Sequence, residues 1–401
     1  MQRMTTHKTR ILIVGGGFGG IKAAQELDKS GLFDVTLLSN HTHFRYNPSL
    51  YHTATGGLAV ESNIPLATLF QNTNVTLEQG EAAKLDRKTK TIHTKDGRGL
   101  RYDTLILSLG MVTNYFGIKG LADYSYGIKT PEEARRFKRH LHQQLMDEHK
   151  PDLNYIVVGG GPTGIELAGA LPDYLHRIMR AHGVRRKNIR IELVEAAPHL
   201  VPRLPKRMGK RIEKQLQSLG IKLMLGKAVQ GETANALMID GKPIQSRTVV
   251  WTAGQANVPF FKDNGFTLTD RGKVSVDPYL QAEPDIYVLG DNNNTMYSGM
   301  AQTALHNASF VAHNLIRHVH GRAPKPYKPK KPVYVLPAGP HWAAVLWGTL
   351  QFYGRAGWVL RSLADLVGFH DVEPWWRATE QWMTEFGTQE ECPVCITHQE
   401  G

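Results

Sequence analysis

Two stretches of the chain share one pattern of apolar and polar positions. In RILIVGGGFGGIKAAQEL, which begins at Arg10, and in YIVVGGGPTGIELAGA, which begins at Tyr155, a short apolar run leads into a glycine-rich turn. Apolar residues at helical spacing follow each turn. A short continuous apolar run is consistent with a buried strand, and the later spacing is that of an amphipathic helix. Each stretch therefore predicts a strand, a tight turn and a helix.

Both turns fit the pattern G-x-G-x-x-G. Its three positions are Gly15, Gly17 and Gly20 in the first turn, and Gly159, Gly161 and Gly164 in the second. The first glycine permits the tight turn, the second lets backbone approach a pyrophosphate, and the third lets helix and strand pack closely. The N-terminus of the helix then presents free amides and a partial positive charge to the phosphates. One such turn alone is weak evidence for a nucleotide site.

The spacing to a later strand strengthens that evidence. YDTLILSLG ends at Gly110 and RTVVWTAG ends at Gly254, and each of these glycines lies 95 residues after the first glycine of its turn. Equal spacing predicts an internal duplication of one nucleotide-binding fold.

The residues at the ends of the second strands differ between the two units. A dinucleotide-binding fold usually places Asp or Glu there to bind ribose hydroxyls. FDVTLLSN ends instead in Ser39 and Asn40, which can hydrogen-bond a ribose but carry no charge. IRIELVEA reaches Glu195, which would accept from a 2′-hydroxyl and repel a 2′-phosphate, favouring NADH over NADPH. The alternative for Glu195 is a strand-end carboxylate that merely faces solvent.

The remaining patterns predict an interrupted first domain. Thr130, Pro131 and Glu133 are typical of a helix start and predict a bridging helix over 130–149. IYVLG before Asp291, followed by a helical pattern, indicates that the first domain is completed after an inserted second one. The predicted segments are 1–120 and 263–321 for the first domain, 121–262 for the second, and 322–401 for a linker and C-terminal region. The predicted fold class is α/β with two Rossmann-like domains and an amphipathic, Trp-rich C-terminal region.

Charge and cysteine content limit the partners. The net charge of +12 favours an anionic partner. Nucleic acid, anionic lipid and acidic substrate all fit the charge, but no nucleic-acid module is recognisable, so we predict no nucleic-acid partner. No signal peptide and no membrane-spanning run are visible. Cys392 and Cys395, with His398 nearby, could form a redox dithiol, half of a metal site, or a flexible tail; one C-x-x-C lacks the ligands of a closed zinc site, and we predict no metal.

At this point the chain resembles a known family. GGGFGG, GGGPTGIELAG, VVWTAG, and IYVLGD followed by AQTA resemble the flavoproteins with two dinucleotide-binding domains. NPSLYHTATGG, TNYFG and the length are similar to type II NADH dehydrogenases, the single-subunit NADH:quinone oxidoreductases. The resemblance implies FAD in the first domain, NADH in the second, a quinone acceptor, and no proton pumping. It also implies peripheral attachment to the membrane, which we place at the cytoplasmic face of the cell membrane.

The resemblance also implies roles for individual residues. The FAD contacts would be Gly15, Gly17, Phe18, Gly20, Ser39, Asn40, Gly110, Asp291, Ala301 and Gln302. The NADH contacts would be Gly159, Gly161, Thr163, Gly164, Glu166, Glu195 and Gly254. Glu166 would be a catalytic residue beside nicotinamide and flavin, with a helix-end ion pair as the alternative. Ala301 and Gln302 open a helix whose N-terminus would stabilise negative charge on reduced flavin.

Three positions depart from the family pattern. Ser39 replaces the ribose-binding acid, and Ser108-Leu109 replaces the usual Ala-Thr. His306-Asn307 replaces a Gln-Gln or Gln-Glu pair that often lines the quinone pocket in the family. With Gln302, His306 could donate to a quinone carbonyl and deliver a proton as a catalytic residue. Its presence is equally compatible with a different acceptor.

The C-terminal region has the composition of a membrane-contacting segment. RAPKPYKPKKP is a basic, Pro-rich linker, and six of the seven Trp follow it between 342 and 382. In GWVLRSLADLVGF, one helical face would carry Val359, Leu360, Leu363, Leu366 and Val367, with Arg361, Ser362 and Asp365 opposite. These features predict docking on an anionic membrane surface. A homodimer interface, or a cover over the flavin domain, is the alternative.

Other functions remain open at this stage. A sulfide:quinone oxidoreductase is disfavoured because that chemistry needs cysteines near the flavin. A soluble NADH-dependent reductase could pass electrons to the Cys392/Cys395 dithiol and on to a protein partner. A redox-sensing interaction protein, in which FAD and NADH set conformation or dimerisation, is a third hypothesis.

Overall fold

A computed structural model describes residues 8–57, 63–146, 152–184 and 188–387. The strands are β1 (Thr9–Val14), β2 (Phe33–Ser39), β3 (His43–Arg45), β4 (Asn63–Pro65), β5 (Thr76–Gln79), β6 (Ala82–Asp86), β7 (Thr91–Thr94), β8 (Gly99–Arg101), β9 (Thr104–Leu107), β10 (Met111–Thr113), β11 (Asn154–Val158), β12 (Arg190–Glu195), β13 (Ile221–Leu225), β14 (Val229–Thr233), β15 (Ala236–Ile239), β16 (Lys242–Gln245), β17 (Thr248–Trp251), β18 (Gln255–Asn257), β19 (Gln281–Glu283), β20 (Ile286–Val288), β21 (Tyr334–Pro337), β22 (Ala343–Trp347) and β23 (Leu350–Phe352). The helices are α1 (Phe18–Ser30), α2 (Leu50–Ala54), α3 (Leu66–Leu69), α4 (Leu121–Tyr124), α5 (Pro131–Met146), α6 (Pro162–Ala181), α7 (Lys206–Ser218), α8 (Phe260–Asp263), α9 (Ala301–Val319), α10 (Gly354–His370) and α11 (Trp375–Gly387).

Two sheets confirm the predicted α/β class and explain the repeated glycine turn. The first has the order β19-β20-β9-β1-β2-β5, and the second has the order β13-β12-β11-β17. Apart from the antiparallel β19, all neighbouring strands are parallel. The strand that leads into the glycine turn, β1 or β11, lies between equivalent neighbours in both sheets. Because the ends of parallel strands meet at one edge, each turn lies beside the end of the next strand.

The cores follow directly from the apolar runs. Ile11 and Ile13 of β1 are buried among the side chains of α1 and α9, and Tyr155 and Val157 of β11 are buried among those of α5 and α6. Two small antiparallel meanders, β6-β7-β8 and β14-β15-β16, follow β5 and β13 in the two units. β10 pairs antiparallel with β18 and joins the two units.

The bridging helix begins where its sequence predicts. The Glu133 amide donates to Thr130 Oγ1 at 3.0 Å, and the Thr130 amide donates to Glu133 Oε2 at 3.2 Å. This reciprocal pair is a capping box, which satisfies amides that the first helical turn leaves without partners. The helix ends at Met146 in the described part of the chain.

The Pro-rich linker lies along α9 as an extended strap, which we define as residues 322–333. Asn314 donates to the Lys325 carbonyl at 2.9 Å and accepts from the Lys325 amide at 3.0 Å. Gln302 makes the same two-bond contact with the backbone of Val333, at 3.0 Å each. Backbone without regular structure is satisfied here by side chains of one helix. The strap delivers the chain to the β21-β22-β23 sheet and then to α10 and α11.

Helix α10 is oriented with its polar face inward. Val359, Leu363 and Val367 are 51%, 49% and 51% exposed, whereas Arg361 and Ser362 are only 9% and 6% exposed. The sequence predicts the polar side of Arg361 and Ser362 and the apolar row of Val359, Leu363 and Val367, but Leu360 and Leu366, predicted on the same apolar face, are partly buried. Leu366 packs against the core of the first unit. A soluble helix normally buries its apolar face. Three C-terminal tryptophans, Trp347, Trp375 and Trp376, are also exposed. Within the described residues, no helix is both long and apolar enough to cross a bilayer.

Candidate nucleotide and electron-transfer site

The first glycine turn accepts only glycine at two positions. Gly15 has φ +115°, and a Cβ built there would lie 2.0 Å from the Ser108 carbonyl oxygen. A Cβ on Gly20 would lie 1.9 Å from the Gly15 carbonyl oxygen. Gly17 differs, because a Cβ built on it would meet no atom within 4 Å apart from those of its immediate chain neighbours. The turn is therefore tightly packed on one side and open on the other, as a phosphate cradle requires.

The second turn repeats this geometry. Gly159 has φ +120°, and a Cβ on Gly164 would lie 1.9 Å from the Gly159 carbonyl oxygen. Gly161 faces open space and occupies the N-cap position just before α6, as Gly17 does before α1; neither position has a side-chain cap. Thr163 follows in the first turn of α6 and is partly buried. The structure thus provides two equivalent cradles, one for each predicted dinucleotide.

Ser39 and Glu195, at the ends of β2 and β12, occupy equivalent places beside the second glycine of each GGG run, Gly16 and Gly160. A Cβ on Gly16 would lie 2.7 Å from Ser39 Oγ, and one on Gly160 would lie 2.9 Å from Glu195 Oε2. Glu195 accepts from the Gly160 amide at 2.5 Å and from the Ala197 amide at 2.7 Å. These bonds hold its carboxylate at the turn, where a ribose hydroxyl would lie.

Ser39 and Asn40 have different environments. Ser39 is buried, and its hydroxyl donates to the His41 carbonyl at 2.8 Å and accepts from the His41 amide at 3.2 Å. Asn40 is exposed and lines an open cavity of about 530 Å³ together with Gln79 and Glu81, among others. Of the two side chains, only Asn40 lines this cavity.

Asp291 lies at the end of the last strand of the first unit. Its Oδ1 accepts from the Gly299 amide at 3.0 Å, and its carbonyl accepts from Lys273 Nζ. Burial raises the pKa of its carboxyl, and the charge of Lys273 opposes that effect. The next residue, Asn292, donates to the Gly110 carbonyl at 2.6 Å and accepts from the Gly110 amide at 3.1 Å. Two strand ends predicted to contact FAD are thereby tied together.

The sequence did not reveal that asparagines support the turn around Asp291. Asn307 is fully buried, and its Oδ1 accepts from the Gly290 amide at 2.9 Å and from Asn293 Nδ2 at 3.1 Å. The run of three asparagines after a buried strand was the available signal, because Asn side chains commonly satisfy irregular backbone. One member of the His306-Asn307 pair is therefore a support for the turn that carries Asp291.

Gly254 is buried between the two units. A Cβ built on it would lie 2.3 Å from the Asn114 carbonyl oxygen. The Asn114 amide donates to the Gly254 carbonyl at 3.2 Å, and Trp251 Nε1 donates to the Asn114 carbonyl at 2.9 Å. Glycine at this position allows close approach of the connection between the units, which gives it a packing role in addition to the predicted NADH contact.

Glu166 lies on α6 near polar side chains of α10. Burial raises the pKa of its carboxyl to about 8; the charge of Arg361 lowers this pKa and that of Asp365 raises it. Arg361 Nε and Asp365 Oδ2 form an ion pair at 2.9 Å, with side chains 11% and 15% exposed. Glu166 is partly exposed to solvent. A largely desolvated carboxyl with a pKa near working pH is a candidate proton donor. The sequence placed Arg361 and Asp365 on the polar face of α10 without showing that this face meets Glu166.

Gln302 and His306 both contact the strap. Gln302 follows Ala301, the first residue of α9, and its amide group binds Val333 backbone. His306 Nε2 lies 3.0 Å from the Lys328 carbonyl oxygen. Since a carbonyl only accepts, Nε2 carries the proton in this arrangement. A quinone would meet Nδ1 of His306, or would have to displace the strap.

Phe18, predicted to contact FAD, begins an aromatic chain that ends on α10. Its ring packs edge-on against Phe44, with centroids 4.9 Å apart, and lies 5.6 Å from Tyr46. Tyr46 stacks on Phe369 at 4.2 Å. The first unit and the C-terminal region are thus packed together at Tyr46, which also contacts Phe18.

Cys392, Cys395 and His398 lie outside the described residues. Among the residues that are described, no three His, Cys, Asp or Glu side chains are grouped so that they could hold a metal ion.

Comparison with known proteins identifies the family. A model of the pyridine nucleotide-disulphide oxidoreductases matches residues 9–308. The chain belongs to this family. It is therefore an oxidoreductase, and the family match covers both glycine turns.

Relatives and solved structures confirm the predicted resemblance to type II NADH dehydrogenases. The chain is 28% identical to the type II NADH:quinone oxidoreductase NdhA of Mycobacterium tuberculosis, over 90% of this chain and 84% of the relative. It is 26% identical to the enzyme of that description from Staphylococcus saprophyticus, over 80% of this chain and 85% of the relative. Among structures, NDH2 from Plasmodium falciparum, solved with NADH, matches with a TM-score of 0.85 at 18% identity, covering 95% of this chain and 98% of the other. The sulfide:quinone oxidoreductase of Aquifex aeolicus matches with a TM-score of 0.78 at 17% identity, covering 91% of each chain.

The residues of this pyridine nucleotide-disulphide oxidoreductase fit FAD in the first unit. The open face of Gly17 admits a pyrophosphate, Asn40 faces a cavity at the ribose end, and Asp291 lies partly buried beside the start of α9. The buried Nζ of Lys129, close enough to Asp291 to feel its charge, has no hydrogen-bond partner in the described protein. An orphaned buried polar atom is unusual in a complete site. A bound polar ligand would remove that anomaly.

Replacing Glu195 is expected to weaken the preference for NADH over NADPH. In Glu195→Ser the carboxylate that repels a 2′-phosphate is lost, and so is a charged acceptor for the ribose, which contributes about 1.5–3 kcal/mol. We expect kcat/KM for NADH to fall about 10- to 100-fold while that for NADPH holds or rises. Steady-state rates with both nucleotides test this, with Glu213→Ser, on α7, as the control. Unchanged selectivity would show that Glu195 faces away from the ribose.

Proposed function

We propose that the chain is an FAD-dependent NADH:quinone oxidoreductase. In the overall reaction, NADH supplies two electrons and one proton as hydride, a second proton comes from solvent, and the quinone becomes a quinol. The observation that carries this proposal is the meeting of Glu166, in the NADH unit, with the inward polar face of α10. The duplicated cradles and the type II NADH:quinone oxidoreductases among the relatives support it.

The residues of the chain have separable tasks in this reaction. Bound FAD would supply the chemistry of accepting hydride and passing on electrons singly or in pairs. The cradles at Gly17 and Gly161 hold the two pyrophosphates, and Glu195 orients the NADH ribose. Glu166 is protonated at neutral pH, because its pKa is about 8, and can give a proton to the reduced quinone. Arg361 then offsets the negative charge that remains on Glu166.

The quinone would enter between α9, the strap and α10. Gln302 and His306 face the strap on this side, as their contacts with Val333 and Lys328 indicate. Movement of the strap would free the Gln302 amide and His306 Nε2 to donate to a quinone carbonyl. These assignments keep the quinone role predicted for both residues.

Turnover of the purified, flavin-loaded protein tests the function. We expect rapid NADH consumption with a short-chain, water-soluble quinone, and much slower consumption with NADPH. Flavin that is reduced by NADH but not reoxidised by quinone would refute the quinone assignment while leaving NADH oxidation intact. The dithiol at Cys392 and Cys395 would then be the next acceptor to examine, by replacing both residues with Ser.

The exposed apolar face of α10 supports peripheral docking on a membrane, where a hydrophobic quinone resides. Val359, Leu363 and Val367 present a continuous apolar row, and Trp375 and Trp376 of α11 are more than half exposed. Trp side chains favour the lipid–water interface, and the net charge of +12 favours anionic lipid. Attachment at the cytoplasmic face remains a prediction from sequence.

Replacing Leu363 and Val367 by Glu is expected to weaken vesicle binding strongly. Full burial of such a side chain contributes about 1.5–3 kcal/mol, so the double variant should bind anionic vesicles at least about tenfold more weakly. Co-sedimentation measures this, with Val319→Glu on α9, itself 47% exposed, as the control. The molecular mass measured without vesicles distinguishes membrane docking from the alternative of a homodimer interface. A dimer that the double variant converts to a monomer would make this face a homodimer interface.

A further inference from the structure

The backbone of Lys129 is hydrogen-bonded at the start of α5, but its side-chain ammonium has no hydrogen-bond partner in the described protein. Its backbone amide donates to Glu133 Oε2 at 2.7 Å, as part of the capping box. Its Nζ is buried and has no hydrogen-bond partner in the described part of the protein. Lysine is rarely buried without a partner, because desolvating an ammonium is costly. Some group outside the described protein should therefore complete this site.

Two carboxylates lie close enough to influence the ammonium, but neither is paired with it. Burial lowers the pKa of Lys129 to about 8; the charges of Glu133 and Asp291 oppose this, and that of Lys273 adds to it. Within the described residues, no carboxylate oxygen lies within 4.0 Å of Lys129 Nζ, the limit for an ion pair. Glu133 Oε2 accepts two backbone amides, and Asp291 Oδ1 accepts one. Both carboxylates are already engaged elsewhere.

The position of Lys129 relates this ammonium to the flavin end of the site. Asp291, predicted to bind the ribityl chain, is beside it, and Lys273 Nζ donates to the carbonyl of Asp291. The ammonium of Lys273 therefore makes a hydrogen bond within the described protein, whereas the ammonium of Lys129 does not. A second cation so close to the first is unfavourable in the protein alone and favourable if an anion binds there.

We propose that Lys129 is an FAD-binding residue whose Nζ donates to the bound cofactor beside Asp291. This inference rests on the proposed use of FAD but not on the identity of the electron acceptor. FAD is an anion, and its reduced form carries additional negative charge, so a fixed ammonium stabilises both forms and the reduced form more. Lys129 thus acts on cofactor affinity and on the flavin reduction potential.

The test compares Lys129→Met, which removes the charge, with Lys129→Arg, which keeps it. In the full-length protein, we expect FAD to dissociate at least about tenfold more readily from Lys129→Met and within about threefold of wild type from Lys129→Arg. A further tenfold loss for reduced over oxidised flavin would lower the two-electron midpoint potential by about 30 mV. Without FAD, Lys129→Met should be no less thermally stable than wild type, because no protein bond to Nζ is lost.

Two outcomes would overturn this assignment. The first is a Lys129→Met protein with unchanged FAD affinity and unchanged midpoint potential. The second is an equal loss of stability in Lys129→Met and Lys129→Arg without FAD, which would make Lys129 a structural residue. Neither measurement uses NADH or quinone, so failure of quinone reduction would leave the test of Lys129 intact. A wild-type protein that binds no FAD would instead contradict the proposed function itself.

Discussion

Gly164→Ala is expected to yield a yellow protein that NADH can no longer reduce, whereas Gly20→Ala is expected to yield a protein without flavin. In each variant the new Cβ would lie 1.9 Å from a carbonyl oxygen of the same turn, Gly159 in one case and Gly15 in the other. Backbone cannot yield as a flexible side chain would, so the turn must open. Overpacking typically costs about 1–3 kcal/mol and occasionally more. A cost of about 3 kcal/mol to the conformation that binds the cofactor corresponds to roughly a hundredfold loss of affinity.

The matched controls are Gly17→Ala and Gly161→Ala. Apart from its immediate chain neighbours, a Cβ at either position would meet no atom within 4 Å, so both variants should melt within a few degrees of wild type. The same Cβ would project into the phosphate cradle and should weaken the corresponding cofactor. Flavin absorbance of the purified protein and anaerobic reduction by NADH measure the two effects. Wild-type reduction of Gly164→Ala by NADH would show that the second turn does not hold the nicotinamide cofactor.

The two glycine turns were predictable from sequence because their determinants are local. Each glycine turn is specified by residues a few positions apart, and the equal interval to Gly110 and Gly254 placed a third strand beside each. Parallel neighbours then followed from the βαβ connection. The capping box at Thr130 and Glu133 is equally local, and the structure contains it.

The acceptor side was not predictable because it is assembled from segments far apart in the chain. Periodicity gave the two faces of α10 but not which of them turns inward. The inward choice depends on Glu166 of α6, Tyr46 beside Phe369, and the strap on α9, none of which leaves a local signal. The same holds for Ser39: its hydroxyl is used by His41, which only the folded loop reveals.

Glu166→Gln is expected to slow reoxidation of the flavin by quinone about 100-fold, with reduction by NADH changed only a few-fold. General acids contribute about 10²–10⁴ in rate, and a glutamine occupies the site without a proton to give. In the wild type, quinone reduction should fall as the pH rises through about 8, because Glu166 loses its proton there. Rapid-mixing measurements of the two half-reactions against pH should show that decline in the wild type and a flat profile in Glu166→Gln.

The free energy of unfolding should fall with rising pH because of Glu166. The pKa of Glu166 is about 8 when folded and 4.5 in its ordinary state, so the folded protein retains a proton that the unfolded chain has lost. The resulting stabilisation is fully present below pH 4.5 and is lost as the pH rises through about 8, an upper bound on the order of 4–5 kcal/mol. Glu166→Gln, always neutral, should therefore be the more stable protein above pH 8.

Glu232→Gln is the control that separates stability from catalysis. Burial raises the pKa of Glu232 to about 7, and its carboxylate accepts from the Ser125 hydroxyl in the meander of the second unit. Its replacement should change the pH dependence of stability and leave both half-reactions unaltered. If the decline near pH 8 persists in Glu166→Gln, the proton must come from another group, and His306 with the strap displaced becomes the donor to test.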